Sequence, residues 1–266
     1  MQRAMINKVE LEYDVRGTGE PVLLIHGAHL ADALRPLMAE PALDAFQMVQ
    51  YHRRGFAGSS RPPGPPSTED QASDAVGLLD HLGIDRAHVV GHSYGAMIAL
   101  SLAAAYPTRV QSLALLEIPA LTGATGAAFM DGMATLTQRY TEGDVTGAVH
   151  GFFAVLGPDW RAVIDRALPG GIEQAEKDAS TFFDIDLPTG GQWSFGREQA
   201  AAISCPVLSV LGTASGPLFT DGRAQLHEWF PQCQDADITV ATHHLQMEAP
   251  GPVATAIAAF LRNSGR

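Results

Sequence analysis

The chain has 266 residues, 46% of them hydrophobic and 17% charged, which is enough apolar material for one globular unit with a large core. It carries 29 acidic residues against 17 Lys and Arg, a net charge of −12, and the basic residues are scattered, so nucleic acid is not expected as a partner. No apolar run reaches the roughly 18 to 20 residues of a membrane helix.

The chain begins without the apolar stretch and small-residue cleavage site of a secretory signal. Two short strands, 3–6 and 9–15, are predicted to form a half-exposed hairpin, because residues 9 to 15 alternate between apolar and polar. The only cysteines, Cys205 and Cys233, lack Cys-x-x-Cys spacing, so we expect free thiols. These features together predict a soluble, cytoplasmic protein that makes no contact with membranes.

Buried strands and helices then alternate along the chain. Each predicted strand is a short continuous apolar run, and each predicted helix has an apolar stripe at about 3.6-residue spacing. The strands are predicted at 22–25, 46–51, 87–90, 110–116, 207–211 and 238–240, and the helices at 31–39, 68–82, 94–106 and 252–261. This alternation predicts a mostly parallel central sheet with helices on both faces.

The alternation stops between residues 121 and 200, where probable helices follow one another without an obvious strand. This stretch carries more apolar bulk than a surface linker would, including Phe152, Trp160 and Phe182. We therefore predict a helical cap at 121–200, folded over the carboxyl edge of a core domain made of 1–120 and 201–266. Residues 61–66, rich in proline, predict a stiff loop.

Gly91-His92-Ser93-Tyr94-Gly95 lies between a predicted strand and a predicted helix. A serine on so sharp a turn requires strained backbone angles, and side chains at positions 91 and 95 would collide with the neighbouring strand and helix. The helix that follows directs its N-terminal N–H groups at the same point, which favours developing negative charge. We therefore predict that Ser93 is a nucleophile.

A serine hydroxyl is a poor nucleophile near neutral pH and needs a base within hydrogen-bonding reach. His243 and His244 follow the last predicted strand, so their loop should emerge beside Ser93 at the carboxyl end of the sheet. One of the two is the expected base. No metal-binding spacing such as His-Glu-x-x-His occurs, and neither a metal nor a cofactor is expected.

Four segments together resemble the α/β-hydrolase superfamily: His26-Gly27-Ala28, the segment 51–60, the 91–95 turn and the loop with His243. The resemblance covers almost the whole chain outside 121–200. Members end with a His-x-x-x-x-Glu-x-Pro pattern, which His243 fits together with Glu248 and Pro250, so the resemblance selects His243 as the base. It also implies an oxyanion hole made by the backbone N–H groups of Ala28 and Tyr94, and an acyl-enzyme mechanism.

The triad acid departs from the commonest pattern of the superfamily. The usual Gly-x-x-Asp turn after the penultimate strand reads Gly212-Thr213-Ala214-Ser215 here, without a carboxylate. Some members carry the acid after the strand that follows the nucleophile helix, where this chain has Glu117. A carboxylate behind a buried strand needs a partner, so we predict Glu117 as the acid. Asp221, or a site without an acid, remains the alternative.

The expected activity is that of a serine esterase, hydrolysing a carboxylic ester or lactone of a small, largely apolar substrate. A cofactor-free perhydrolase or a carbon–carbon bond hydrolase could use the same triad, and a non-hydrolytic ligand-binding member of the fold is a further alternative. Superfamily members that hydrolyse haloalkanes or epoxides carry Asp at the nucleophile position, where this chain has Ser93.

Overall fold

Eight strands form one sheet at the centre of the protein. The computed structural model describes residues 1–61, 64–120 and 122–264; Pro62 and Pro63 of the predicted stiff loop and Leu121 at the start of the predicted cap lie outside this range. The strands are β1 (Gln2–Ile6), β2 (Val9–Arg16), β3 (Glu20–Ile25), β4 (Phe46–Tyr51), β5 (Ala87–His92), β6 (Val110–Leu116), β7 (Val207–Gly212) and β8 (Gln234–Ile238).

The strand order is β1-β2-β4-β3-β5-β6-β7-β8. The pairs β1–β2 and β2–β4 are antiparallel, whereas the five other neighbouring pairs, from β4–β3 to β7–β8, are parallel. The carboxyl ends of the parallel strands therefore meet at one edge, which is where ligands bind in open α/β sheets. The predicted α/β fold with a mostly parallel sheet is confirmed.

Thirteen α-helices occur in the described ranges, together with two short 3₁₀ turns and one π-helical turn, Phe182–Asp186. The helices are α1 (Arg35–Met38), α2 (Thr68–His81), α3 (Tyr94–Ala105), α4 (Gly123–Thr141), α5 (Val145–Leu156), α6 (Trp160–Ala167), α7 (Gly171–Lys177), α8 (Ala179–Thr181), α9 (Leu187–Gly191), α10 (Arg197–Ala200), α11 (Pro217–Trp229), α12 (Leu245–Glu248) and α13 (Pro250–Ser264).

Successive side chains of each strand point to opposite faces of the sheet, and helices bury both faces. In β3, Leu23 and Ile25 join the core beneath α2 and α3, whereas Val22 and Leu24 join the core beneath α13. Residues 122–200, which we call the helical segment, contain helices and no strand among those described. They form a third apolar cluster, which also includes Leu30 from the loop after β3 and Met247 from α12.

Two predicted elements differ from the structure. The last strand, predicted at 238–240, is Gln234–Ile238, and Val240 is 79% exposed with φ +62°. An edge strand pairs through its backbone and needs no apolar run, so its polar sequence concealed it. The helix predicted at 31–39 is reduced to Arg35–Met38, with Pro36 in its first turn, where a missing N–H costs nothing.

Candidate active site

Ser93 lies on the turn between β5 and α3, with φ +54° and ψ −121°. A non-glycine residue rarely adopts a positive φ, and here two backbone hydrogen bonds hold it. The Ser93 N–H donates to the Leu116 carbonyl at the end of β6 (2.9 Å), and the Ala96 N–H donates to the Ser93 carbonyl (2.8 Å). The side chain is thereby fixed in front of the sheet, at the carboxyl ends of β5 and β6.

Three glycines allow the backbone to approach the Ser93 turn closely. A Cβ atom at Gly95 would clash with the Ile25 and His26 carbonyls, and one at Gly91 would clash with Gly95 and Ala96, as the sequence predicts. A Cβ atom at Gly27 would lie 3.0 Å from the Ser93 Cβ atom. The loop after β3 therefore packs directly against the Ser93 turn.

His243 is 3% exposed, and its position is fixed on several sides. Its ring stacks on Phe219 at a centroid distance of 4.2 Å and an interplanar angle of 15°. The His92 Nε2–H donates to the His243 carbonyl (2.9 Å). One residue earlier, Thr242 donates its N–H and hydroxyl to the Glu248 carboxylate, both at 2.6 Å.

Ser93 and His243 line the same small cavity, together with Ala28, His92 and His244. No hydrogen bond joins the Ser93 hydroxyl to His243 among the described residues. Hydrogen bonds between catalytic groups are often long before substrate binds. The structure thus brings the predicted nucleophile and base to one cavity without closing the contact between them.

Glu117 follows β6 with φ +52° and is 1% exposed. Its Oε1 atom accepts hydrogen bonds from the Gly212 N–H (2.6 Å) and the Ser215 hydroxyl (2.7 Å). Its Oε2 atom lies 3.5 Å from His243 Nδ1, and neither of these two atoms makes a hydrogen bond within the described ranges. Two buried, unsatisfied polar atoms therefore face each other.

Burial sets the ionisation of both groups. It raises the pKa of Glu117 to about 7, against the opposing effect of the hydrogen bonds from Gly212 and Ser215. It lowers the pKa of His243 to about 3. The His243 imidazole is therefore neutral at neutral pH, as a general base must be, and Glu117 ionises close to the same pH.

The alternative acid Asp221 does not contact His243. Its side chain is exposed and accepts a hydrogen bond from the Thr125 hydroxyl of α4 (2.7 Å). Ser215 occupies the turn position where the superfamily pattern leads one to expect aspartate, and it donates to Glu117 instead. The sequence indicates the missing carboxylate at this position but not the hydrogen bond to Glu117, although Ser215 was the available signal.

The two predicted oxyanion donors lie on either side of Ser93. Ala28 and Tyr94 line one cavity with it, and the Ala28 N–H donates no hydrogen bond to another described residue. Tyr94 is the first residue of α3, so its N–H has no partner within the helix. Both N–H groups are therefore available to a ligand oxygen.

The cavity beside Ser93 is narrow, with about 50 Å³ of solvent-accessible space, and apolar. Its lining outside the Ser93 turn consists of Ala28, Met97, Pro119, Phe129, Met130, Phe152, Leu156, Phe182, Asp186, Leu187, Gly190, Gly191 and Phe219. Asp186 is the one charged residue among them. A larger groove of about 720 Å³, with Asp32, Arg35 and Arg166 in its wall, includes neither Ser93 nor His243.

Two other features, a metal-binding cluster and a membrane-spanning helix, are absent from the described residues. Across the described ranges, no cluster of three or more His, Cys, Asp or Glu side chains is arranged to hold a metal ion. Within the same ranges, no helix combines the length and the apolar character needed to cross a bilayer.

Comparison with known proteins adds the family relationship. A family model of the alpha/beta hydrolase fold matches residues 20–250. Epoxide hydrolase A of Mycobacterium tuberculosis is 29% identical over 297 aligned positions, which cover 91% of this chain and 92% of that protein. The chain spans about two fifths of the length of several other curated relatives that it matches.

Two solved structures are similar over nearly the whole chain. A thermophilic esterase from Thermogutta terrifontis superposes with a TM-score of 0.82 at 24% identity, covering 99% of both chains. An enol-lactonase from Burkholderia xenovorans LB400 superposes with a TM-score of 0.81 at 22% identity, covering 98% of this chain and 100% of the other. At these identities, the superpositions show the fold.

Proposed function

The chain belongs to the α/β-hydrolase fold family, and we propose that it is a serine hydrolase that cleaves an uncharged carboxylic ester or lactone through an acyl-enzyme on Ser93. The observation that carries the proposal is the pair of unsatisfied atoms, Glu117 Oε2 and His243 Nδ1, which face each other at 3.5 Å behind a serine with strained backbone angles. Burying unpaired polar atoms is costly, and such pairs cluster where chemistry needs them.

Ser93 attacks the substrate carbonyl, and neutral His243 takes the hydroxyl proton on Nε2. As the imidazolium forms, the 3.5 Å contact shortens and Glu117 accepts a hydrogen bond from Nδ1–H, which holds this tautomer and stabilises the positive charge. His243 then returns the proton to the leaving alkoxide. The same base activates the water that hydrolyses the acyl-enzyme, and Ser93 is regenerated as acid is released.

The tetrahedral intermediates place negative charge on the former carbonyl oxygen. The N–H groups of Ala28 and Tyr94 are its proposed donors, and each such donor contributes roughly 10² to 10³ in rate. The N-terminal end of α3 adds a favourable field at the same point.

The cavity favours an uncharged, apolar acyl group. Its one charged side chain, Asp186, is paired with Arg53, and all five N–H groups of that guanidinium already donate to protein atoms. The described lining thus offers a substrate carboxylate no free cation, and burying an unpaired anion there would be costly. A neutral ester or lactone meets no such penalty.

The Mycobacterium tuberculosis relative is named an epoxide hydrolase, but Ser93 argues against this chemistry here. A serine oxygen that opens an epoxide would form an ether, which water and a histidine base cannot hydrolyse. A serine oxygen that attacks a carbonyl forms an ester, which they can. The hydroxyl nucleophile therefore fits acyl transfer.

The proposal is tested with p-nitrophenyl esters of increasing chain length, a set of lactones and a fluorophosphonate probe. We expect turnover of short to medium neutral esters or lactones, probe labelling at Ser93, and a loss of about 10⁴ to 10⁶ in kcat for S93A. Esters with a carboxylate on the acyl chain should be poor substrates. Turnover by S93A equal to that of the wild type would disprove the proposal.

A further inference from the structure

Arg53 is one of the largest fully buried side chains of the protein, and it lies directly behind the loop that carries Ala28. Its Nε–H donates to the His26 carbonyl (3.1 Å), and one Nη2–H donates to the Gly27 carbonyl (3.0 Å). Two further bonds reach the Asp186 carboxylate, at 3.1 and 2.6 Å, and a fifth reaches Gln71 at 2.6 Å. The guanidinium therefore links the β3 loop to the helical segment.

His26 contacts the same Gly27 carbonyl, and its partners fix its tautomer. Its Nε2 atom is 2.9 Å from the Arg53 backbone N–H, which can only donate, so Nε2 is the acceptor. The proton therefore lies on Nδ1, which donates to the Gly27 carbonyl at 2.7 Å. Burial, the largest cause, and the nearby Arg53 charge lower the pKa of His26, so this neutral form persists at neutral pH.

The Gly27 carbonyl and the Ala28 N–H belong to one planar peptide group. Two donors on the carbonyl, one of them a cation, fix the orientation of that plane and polarise its N–H. The Ala28 N–H is the group that the proposed mechanism uses as an oxyanion donor. Arg53 and His26 thus act on the oxyanion hole from behind, without touching the substrate.

We infer that Arg53 and His26 are positioning residues for the oxyanion hole, and that Asp186 makes this hole dependent on the docking of the helical segment. Asp186 lies at the end of the π-helical turn and is 1% exposed. Without its carboxylate, the guanidinium loses two of its five hydrogen bonds and has no counter-charge. The inference rests on the proposed function, since it concerns the same oxyanion.

The adjacent Arg54 provides a matched control. It forms a bidentate pair with Asp74, through Nε at 2.5 Å and Nη2 at 2.6 Å, and makes no hydrogen bond to residues 26–28. Lys in place of either arginine keeps the charge and removes the planar fork. Comparing R53K with R54K therefore separates the loss of a buried bidentate pair from the loss of the bonds to Gly27.

The experiment measures kcat, KM and the affinity for an alkyl trifluoromethyl ketone, whose serine adduct places an oxyanion in the hole. We expect R53K and D186N to lower kcat by about 10- to 100-fold, with KM changed less than about threefold, since the lost stabilisation acts in the transition state. Ketone affinity should fall by the same factor as kcat/KM. R54K should stay within about threefold of the wild type in all three quantities.

Thermal melting establishes that each variant is folded at the assay temperature, and D186N and H26Q replace R53K if R53K is not. Equal losses in R53K and R54K, or a fall in kcat without a fall in ketone affinity, would overturn the inference. A wild-type protein that neither turns over esters nor binds the ketone would instead overturn the proposed function. The two failures are thus distinguishable.

Discussion

Two buried carboxylates near Ser93, those of Asp186 and Glu117, have opposite surroundings. Asp186 and Arg53 make two hydrogen bonds to each other, and no N–H of Arg53 is left without an acceptor. Glu117 and His243 are separated by 3.5 Å, and the atoms that face each other have no hydrogen bond within the described ranges. The first pair is satisfied in the resting protein, whereas the second is unsatisfied and would strengthen when His243 becomes charged.

The ionisation of these groups follows the same division. Burial opposes the charge of Arg53, but the charge and hydrogen bonds of Asp186 outweigh it and raise the pKa of Arg53. At the other pair, burial prevails and raises the pKa of Glu117 to about 7. The strong electrostatic contacts of the fold therefore hold the loop 26–28, whereas the Glu117–His243 pair is only partly stabilised.

Of the changes at the two pairs, the largest expected effect is the loss of kcat when the Glu117–His243 pair is altered. E117Q should lower kcat by about 10³- to 10⁴-fold, because glutamine can present its N–H to His243 and favour the wrong tautomer. D221N, which alters an exposed carboxylate bonded to Thr125, should leave kcat within about twofold. Steady-state kinetics on one ester at pH 8 checks both. A large loss in D221N with little loss in E117Q would assign the acid to Asp221.

The second effect is on stability: removing the charge of Asp186 and removing that of Glu117 should change the free energy of unfolding in opposite directions. D186N leaves the Arg53 charge buried without a counter-ion and should lower the free energy of unfolding by about 3 to 5 kcal/mol. The folded-state pKa of Glu117 is raised from an ordinary value of 4.5 to about 7, so this group lowers stability progressively between pH 4.5 and 7, and the full loss is present above pH 7. E117Q should therefore stabilise the protein at pH 8 by up to about 3 kcal/mol.

Urea unfolding at two pH values measures this contrast. The stabilisation by E117Q should diminish as pH falls from 7 to 4.5 and should be lost below pH 4.5, where the wild-type carboxyl is protonated in both the folded and unfolded states. If E117Q and D186N destabilised the protein equally at pH 8, both carboxylates would stabilise the folded protein. That result would contradict the contrast between the two pairs.

The sequence predicted the features that depend on local pattern. The strand, the Gly-x-Ser-x-Gly turn and the helix are contiguous, so the position of Ser93 follows from neighbours that sequence shows directly. The His-x-x-x-x-Glu-x-Pro pattern that selected His243 is also local, and its Glu248 accepts two hydrogen bonds from Thr242 that fix the loop carrying His243. Glu117 as the acid stays a prediction until its variants are measured.

The features that sequence did not reveal depend on contacts between distant segments. Arg53 and Asp186 are 133 residues apart, and no apolar run or spacing pattern around either residue indicates that they form a pair. The polar edge strand Gln234–Ile238 was missed because only its backbone pairing with β7 identifies it. Such pairings arise from the folded arrangement of the segments, which no local pattern encodes.

The smallest expected effect concerns Ser215, the residue that partly satisfies Glu117. S215A removes a hydroxyl that donates to Oε1 at 2.7 Å and stabilises the ionised carboxylate, so the pKa of Glu117 should rise further. The proposed mechanism needs Glu117 ionised, so the acid side of the kcat/KM profile should shift to higher pH. We expect a loss of several-fold at pH 6.5 and little change at pH 8.5, where the carboxylate is ionised in both proteins.

A pH-independent loss in S215A would mean that Ser215 supports the turn 212–215 rather than the charge of Glu117. S215T is the matched control, because threonine keeps a hydroxyl at the same position and should restore the acid side of the profile. Restoration by threonine but not by alanine would place the effect on a single hydrogen bond. The Ser215 hydroxyl would then be the side-chain donor that keeps the pKa of Glu117 from rising above neutral pH.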